Sequence, residues 1–168
     1  MAIVLNKIMS DYNFHIRTLC NYKDWFSKAV HDFQRYKETY GVYELADCLL
    51  TLNALPEWIV KSIEAPESLK DIAGSKILIM TDHNAFVFDE NKLNGDIDQK
   101  LRFIRIFCNH SKHAVPKNKF PKIEMSATLP AALPIKFENI SVGNSYFRAE
   151  DILLDVIKFW TKSIEEAV

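Results

Sequence analysis

Between residues 102 and 113 the chain reads RFIRIFCNHSKH, which gathers Arg102, Arg105, Asn109, His110, Lys112 and His113 in one short stretch. These side chains are of the types that handle phosphate. A guanidinium group makes bidentate, charge-assisted bonds to phosphate oxygens. An imidazole that titrates near neutrality can take a proton from an attacking hydroxyl or return it to a leaving one. Cys108, His110 and His113 also have metal-ligand chemistry. On a helix, however, Cys108 lies about 140° or more from either histidine. With no second ligand cluster in the sequence, neither a metal nor any other cofactor is expected. There is no glycine-rich phosphate loop, no Gly-x-Ser-x-Gly elbow and no Cys-x-x-Cys pair, so the familiar enzyme classes built on them are unsupported.

The helical wheel sorts this stretch. Arg102, Arg105, Asn109 and His113 fall within about 80° of one another, and Leu101, Ile104, Cys108, Ser111 and Val115 fall on another side. His110 sits on the flank, about 140° from Arg105. A second reading gives part of the ridge to architecture. Asn109 and His113 would bond to Asp47 across a helix–helix contact, satisfying groups that cost about 1–3 kcal/mol when buried unpaired.

The elements that must position these residues are mostly helices. Ser10-Asp11 offers an N-cap, and Phe14, Leu19, Tyr22, Phe26, Val30, Phe33 and Tyr40 recur at helical spacing up to a stop at Gly41. A second helix runs from about Tyr43, is kinked or restarted by Pro56, and ends at Ala65-Pro66. Residues 67 to 98 admit either a short hairpin or a helix followed by a loop. Asp96 or Asp98 caps the helix that carries the polar ridge, which should end near Val115-Pro116. "KIEMSATL" and "IKFENISV" alternate as an irregular hairpin or extended arm. Glu150 or Asp151 starts a last helix whose apolar face is Ile152, Leu153, Val156, Phe159 and Trp160. The expected fold is mainly α: one domain over residues 1–168, a four- to five-helix bundle with one or two small β-hairpin or extended insertions.

Composition bounds the remaining choices. At 48% apolar and 26% charged residues the chain is globular rather than disordered, and four glycines argue against a turn-rich β fold. No apolar run approaches the ~18 residues of a membrane-spanning helix. Three widely spaced cysteines do not suggest a disulfide framework, so a soluble cytoplasmic protein is expected. Net charge is only -1, but it is unevenly spread. From Lys100 to Lys122 stand seven cations (Lys100, Arg102, Arg105, Lys112, Lys117, Lys119, Lys122) and no acid, which leaves the remainder at -8. A basic stripe on an acidic body suits phosphate or an acidic protein partner.

Arg105-x4-His110 resembles the R-x4-6-H signature of the HEPN family, all-helical proteins of which many are metal-independent ribonucleases in toxin–antitoxin and phage-defence systems. Ile106 stands where that signature usually has a polar residue. The resemblance implies RNA as partner, His110 as general acid or base, and Arg105 stabilising the phosphorane. It would leave Arg102, Lys112, Lys117 and Lys119 to bind the strand. Since Arg105 and His110 diverge on one helix, two copies facing each other would be needed to assemble a cleavage centre, which implies a homodimer. The chain is also similar to a group of uncharacterised bacterial helical proteins, through Ala46, Asp47, Trp58, Asn109, Lys112, His113, Phe159 and Trp160. The alternative from another class is a non-enzymatic protein-binding module, such as an antitoxin or immunity protein that occludes a toxin.

Overall fold

The computed structural model describes residues 19–82, 86–112, 121–126 and 136–167. Helix α1 spans Tyr22–Thr39, and Asn21 caps it by accepting from the backbone N–H groups of Lys23 and Asp24. The Ser10-Asp11 cap expected from the sequence lies outside the described residues. Tyr40 ends α1 in the left-handed region (φ 49°), returning its N–H to the Tyr36 carbonyl. Gly41, expected as that stop, instead opens α2 (Val42–Lys61). The second helix runs on through Pro56 without a break. Buried Leu52, Leu55 and Ile59 clamp it on both sides of the lost donor, which holds the turn in place.

The ambiguous stretch after Pro66 forms a helix. Leu69, Ala73 and Met80 repeat at four and seven residues on the buried side of α3 (Glu67–Thr81). A short 3-10 turn, Glu90–Lys92, then leads to α4 (Ile97–Lys112), capped by the Asp96 carboxylate through the Asp98 N–H at 2.8 Å. The expected end of α4 near Val115-Pro116 lies outside the described residues.

A three-stranded antiparallel sheet follows, in the order β1 (Ile123–Ser126), β2 (Asn139–Val142), β3 (Ser145–Arg148). The expected pairing of the two alternating segments is present, with Ile123 opposite Val142 and Met125 opposite Ile140. The third strand was not expected. It is joined to β2 by Gly143-Asn144, with Gly143 at φ 58°, a conformation that costs glycine little. A Cβ at Gly143 would also run into the Glu90 carboxylate of the 3-10 turn. Helix α5 (Ala149–Glu166) starts directly after β3, placing Glu150 and Asp151 in its first turn rather than at its cap.

The five α-helices described here make the chain mainly helical with a small antiparallel sheet. Among the described residues no helix is long and apolar enough to cross a membrane. Helix α4 is central, packing against α2, α3 and α5. Its Leu101, Phe103, Ile104, Ile106, Phe107 and Cys108 are all buried. Two polar clusters lie within the packing. Thr51 on α2 donates to the buried Asp32 carboxylate of α1 at 2.7 Å, and Lys28 reaches both. Lys100 on α4 donates to Asp155 on α5 at 2.6 Å and to the Asn94 carbonyl at 2.7 Å.

The Lys100–Asp155 pair is asymmetric, with side-chain exposures of 5% and 43%. Asp155→Ala should therefore cost the larger amount, about 3 kcal/mol, because it leaves a buried ammonium without its counter-charge. Lys100→Met should be nearly neutral, since the freed carboxylate hydrates and the apolar stem is kept. Urea unfolding of the two variants checks the order; equal losses would contradict it.

Candidate functional site

Three helices cover α4, and what they leave open is one stripe. Asp98, Arg102, Arg105 and Asn109 are half-buried, one turn after another, and the neighbours of the two arginines are buried. This is the ridge expected from the wheel as far as Asn109. His113, Lys117 and Lys119 lie outside the described residues; Lys112 is the last residue of α4.

The two arginines differ in setting. Arg102 holds its guanidinium carbon 6.0 Å from the centre of the Phe86 ring, in the segment between α3 and the 3-10 turn. Its Nε is buried with no hydrogen-bond partner. That segment is tied to α4 by Gln99, whose side-chain oxygen accepts from the Asp89 N–H at 2.9 Å. At the N-terminal end of the ridge the Asp98 carboxylate is engaged by Lys76 of α3 at 2.8 Å. Among the described residues no carboxylate lies within ion-pair distance of Arg102 or Arg105.

His110 stands off this ridge, half-buried, with Nε2 enclosed and unpartnered. Burial lowers its pKa from the ordinary histidine value, since the imidazolium loses more hydration than the neutral ring. Arg105 and His110 share a helix but point apart, so one protomer does not bring them together on a single phosphate. No group of three or more metal-ligating side chains occurs among the described residues.

The other expected partnerships come out differently. Asp47 is exposed on α2, and its carboxylate lies 3.9 Å from Arg35 of α1. Among the described residues no hydrogen bond joins Asp47 to Asn109, because α1, not α4, flanks that side of α2. The acid inside the α1–α2 contact is Asp32. Its signal was present: Asp32 sits four residues after Lys28 on a face with Phe33 and Tyr36. Part of the basic stripe is neutralised within the described residues. Lys100 is internal and paired, and Lys122 pairs with Glu124. Of the aromatic residues, Trp160 is fully buried beneath Phe159, and Trp58 stacks on Trp25 at 4.6 Å.

No family model, curated protein or solved structure matches the chain.

The lowered pKa of His110 makes a pH prediction with a definite sign. The unfolded chain, titrating near 6.5, binds the proton more readily than the folded one, so stability should fall as pH drops through that value toward the lower folded pKa. His110→Gln should flatten this part of the stability–pH curve. A curve unchanged by the substitution would show that other groups set it.

Proposed function

We propose that the open side of α4 binds the phosphates of RNA, in a helical protein of HEPN-like type. The observation that carries this is the pair of half-buried arginines one turn apart, Arg102 and Arg105, with no carboxylate at ion-pair distance among the described residues. Half-buried guanidinium groups have already lost part of their hydration, so a phosphate arriving there meets a prepared partner. Asn109 continues the same stripe and offers an amide to a sugar or phosphate oxygen. The backbone contacts would be sequence-independent, as phosphate contacts are.

Strand cleavage is a further step within this reading. His110, whose pKa burial lowers, would act as the base, and Arg105 would steady the developing charge. Their divergence on one helix requires the histidine of one copy to meet the arginine of another, so cleavage belongs to a homodimer with facing α4 helices. In this reading the cleavage is of the metal-independent kind that the Arg105-x4-His110 resemblance implies.

The test is binding of a labelled RNA across a salt series. Affinity should drop steeply as salt rises, and Arg102→Ala with Arg105→Ala should reduce the slope by about two. His110→Ala should remove any chelator-resistant cleavage while leaving the arginine-dependent binding in place. Absence of binding at low salt, or a slope indifferent to both arginines, would overturn the reading and leave this face to an acidic protein partner, such as the cognate of an antitoxin or immunity protein.

A further inference from the structure

Between the 3-10 turn and α4 the chain passes through Asn94-Gly95, the single Asn-Gly pair in the sequence. An asparagine followed by glycine can react within its own backbone. The glycine nitrogen gives up its proton and attacks the side-chain amide carbon, and ammonia leaves as a succinimide ring closes. Water then opens the ring on either side. Attack at the side-chain carbonyl gives aspartate. Attack at the main-chain carbonyl gives isoaspartate, whose backbone runs through the side-chain carbon. Water is the only co-reactant, so local geometry decides how readily the reaction goes.

The turn leaves both reacting groups accessible. Asn94 and Gly95 are exposed, and among the described residues no hydrogen bond engages the Asn94 side chain. A Cβ added at Gly95 would meet no atom within 4 Å, so that side of the glycine is open. The Gly95 N–H does donate to the Lys92 carbonyl at 3.1 Å, and the attack must break that bond. The Asp96 N–H reaches the same oxygen at 3.0 Å, so the carbonyl keeps a partner when Gly95 leaves it.

Lys100 adds what an isolated Asn-Gly pair lacks. Its buried ammonium donates to the Asn94 main-chain carbonyl at 2.7 Å, and that carbonyl is bonded to the Gly95 nitrogen. A cation on the oxygen draws electrons out of the peptide group, the more strongly in surroundings of low dielectric. The Gly95 N–H is thereby made more acidic, which raises the share of the deprotonated nitrogen that attacks. Once the ring has closed, the same polarised carbonyl is the better target for water. Asp155 shares the ammonium at 2.6 Å and tempers its charge without displacing it. We propose that Asn94-Gly95 is a self-modifying site, at which Lys100 promotes conversion of Asn94 to isoaspartate. The oxygen that accepted from Lys100 then belongs to a free carboxylate, so the buried ammonium gains a second counter-charge. The main chain is also lengthened by one carbon just ahead of Asp96, whose carboxylate caps α4. This site stands whatever α4 binds.

The experiment is incubation of the purified chain at mildly alkaline pH for several weeks, beside a sample unfolded in urea. Peptide mapping by mass spectrometry follows the exchange of amide for carboxyl, and isoaspartyl methyltransferase labelling separates the two products. Residue 94 should react in the folded chain at least as fast as in urea, with a larger share of isoaspartate. Lys100→Met should slow the folded chain about tenfold, the scale of one charge-assisted hydrogen bond, and leave the urea sample unchanged. Gly95→Ala should suppress the reaction in both samples, since a methyl group then crowds the attacking nitrogen. An Asn94 that survives in the folded chain while it reacts in urea would overturn the proposal, as would a folded rate indifferent to Lys100→Met.

Discussion

Helix α4 is hemmed in by three others, and that constraint governs what the molecule can display. A helix packed on α2, α3 and α5 must be apolar nearly all round, and α4 is, from Leu101 to Cys108. The residues that break the apolar pattern must either pair inside the protein or sit where no helix covers them. Arg102, Arg105 and Asn109 occupy that line, and the Phe86 segment borders it. The same crowding explains Lys100. On a covered side its ammonium must find acceptors inside the protein, and Asp155 and the Asn94 carbonyl supply them.

Charge counted along the sequence and charge placed in the fold therefore differ. Two neighbours in sequence, Lys100 and Arg102, end in opposite circumstances, one neutralised in the packing and the other open. Two positions on a helix are about 200° apart, enough to carry a cation from the surface to the core. What remains of the stripe in the described residues is compact: two guanidinium groups rather than a continuous basic face.

How far the sequence could be read depended on the range of the interactions involved. The α4 ridge, the α5 apolar face and the Asp96 cap were legible because helix period and capping are local rules. The β2–β3 hairpin was just as local, and the Gly143-Asn144 pair between two alternating runs announces it. It was passed over because the strand SYFR abuts a strong helical pattern. Asp47, expected at a helix–helix contact with Asn109 and His113, and Asp32, for which no role was expected, were not legible for another reason. Both are acids on neighbouring helices, and only the tertiary packing decides which one the α1–α2 contact encloses and which one Arg35 meets outside it. Pro56 shows packing overriding a local rule in the other direction, since α2 continues through it.

The two-residue link at Tyr40-Gly41 has a kinetic side. It joins α1 to α2, which share the largest helix–helix interface in the described structure. The most extensive contact is thus also among the most local, and its loop is among the least costly to close. Pairing of these two helices can precede the rest, with the indole stack and the Asp32–Thr51 bond sealing it early. The sheet and α5, whose partners are distant in sequence, then assemble onto a hairpin already formed. Folding speed should accordingly be set by the C-terminal third of the chain, where long-range partners must be found.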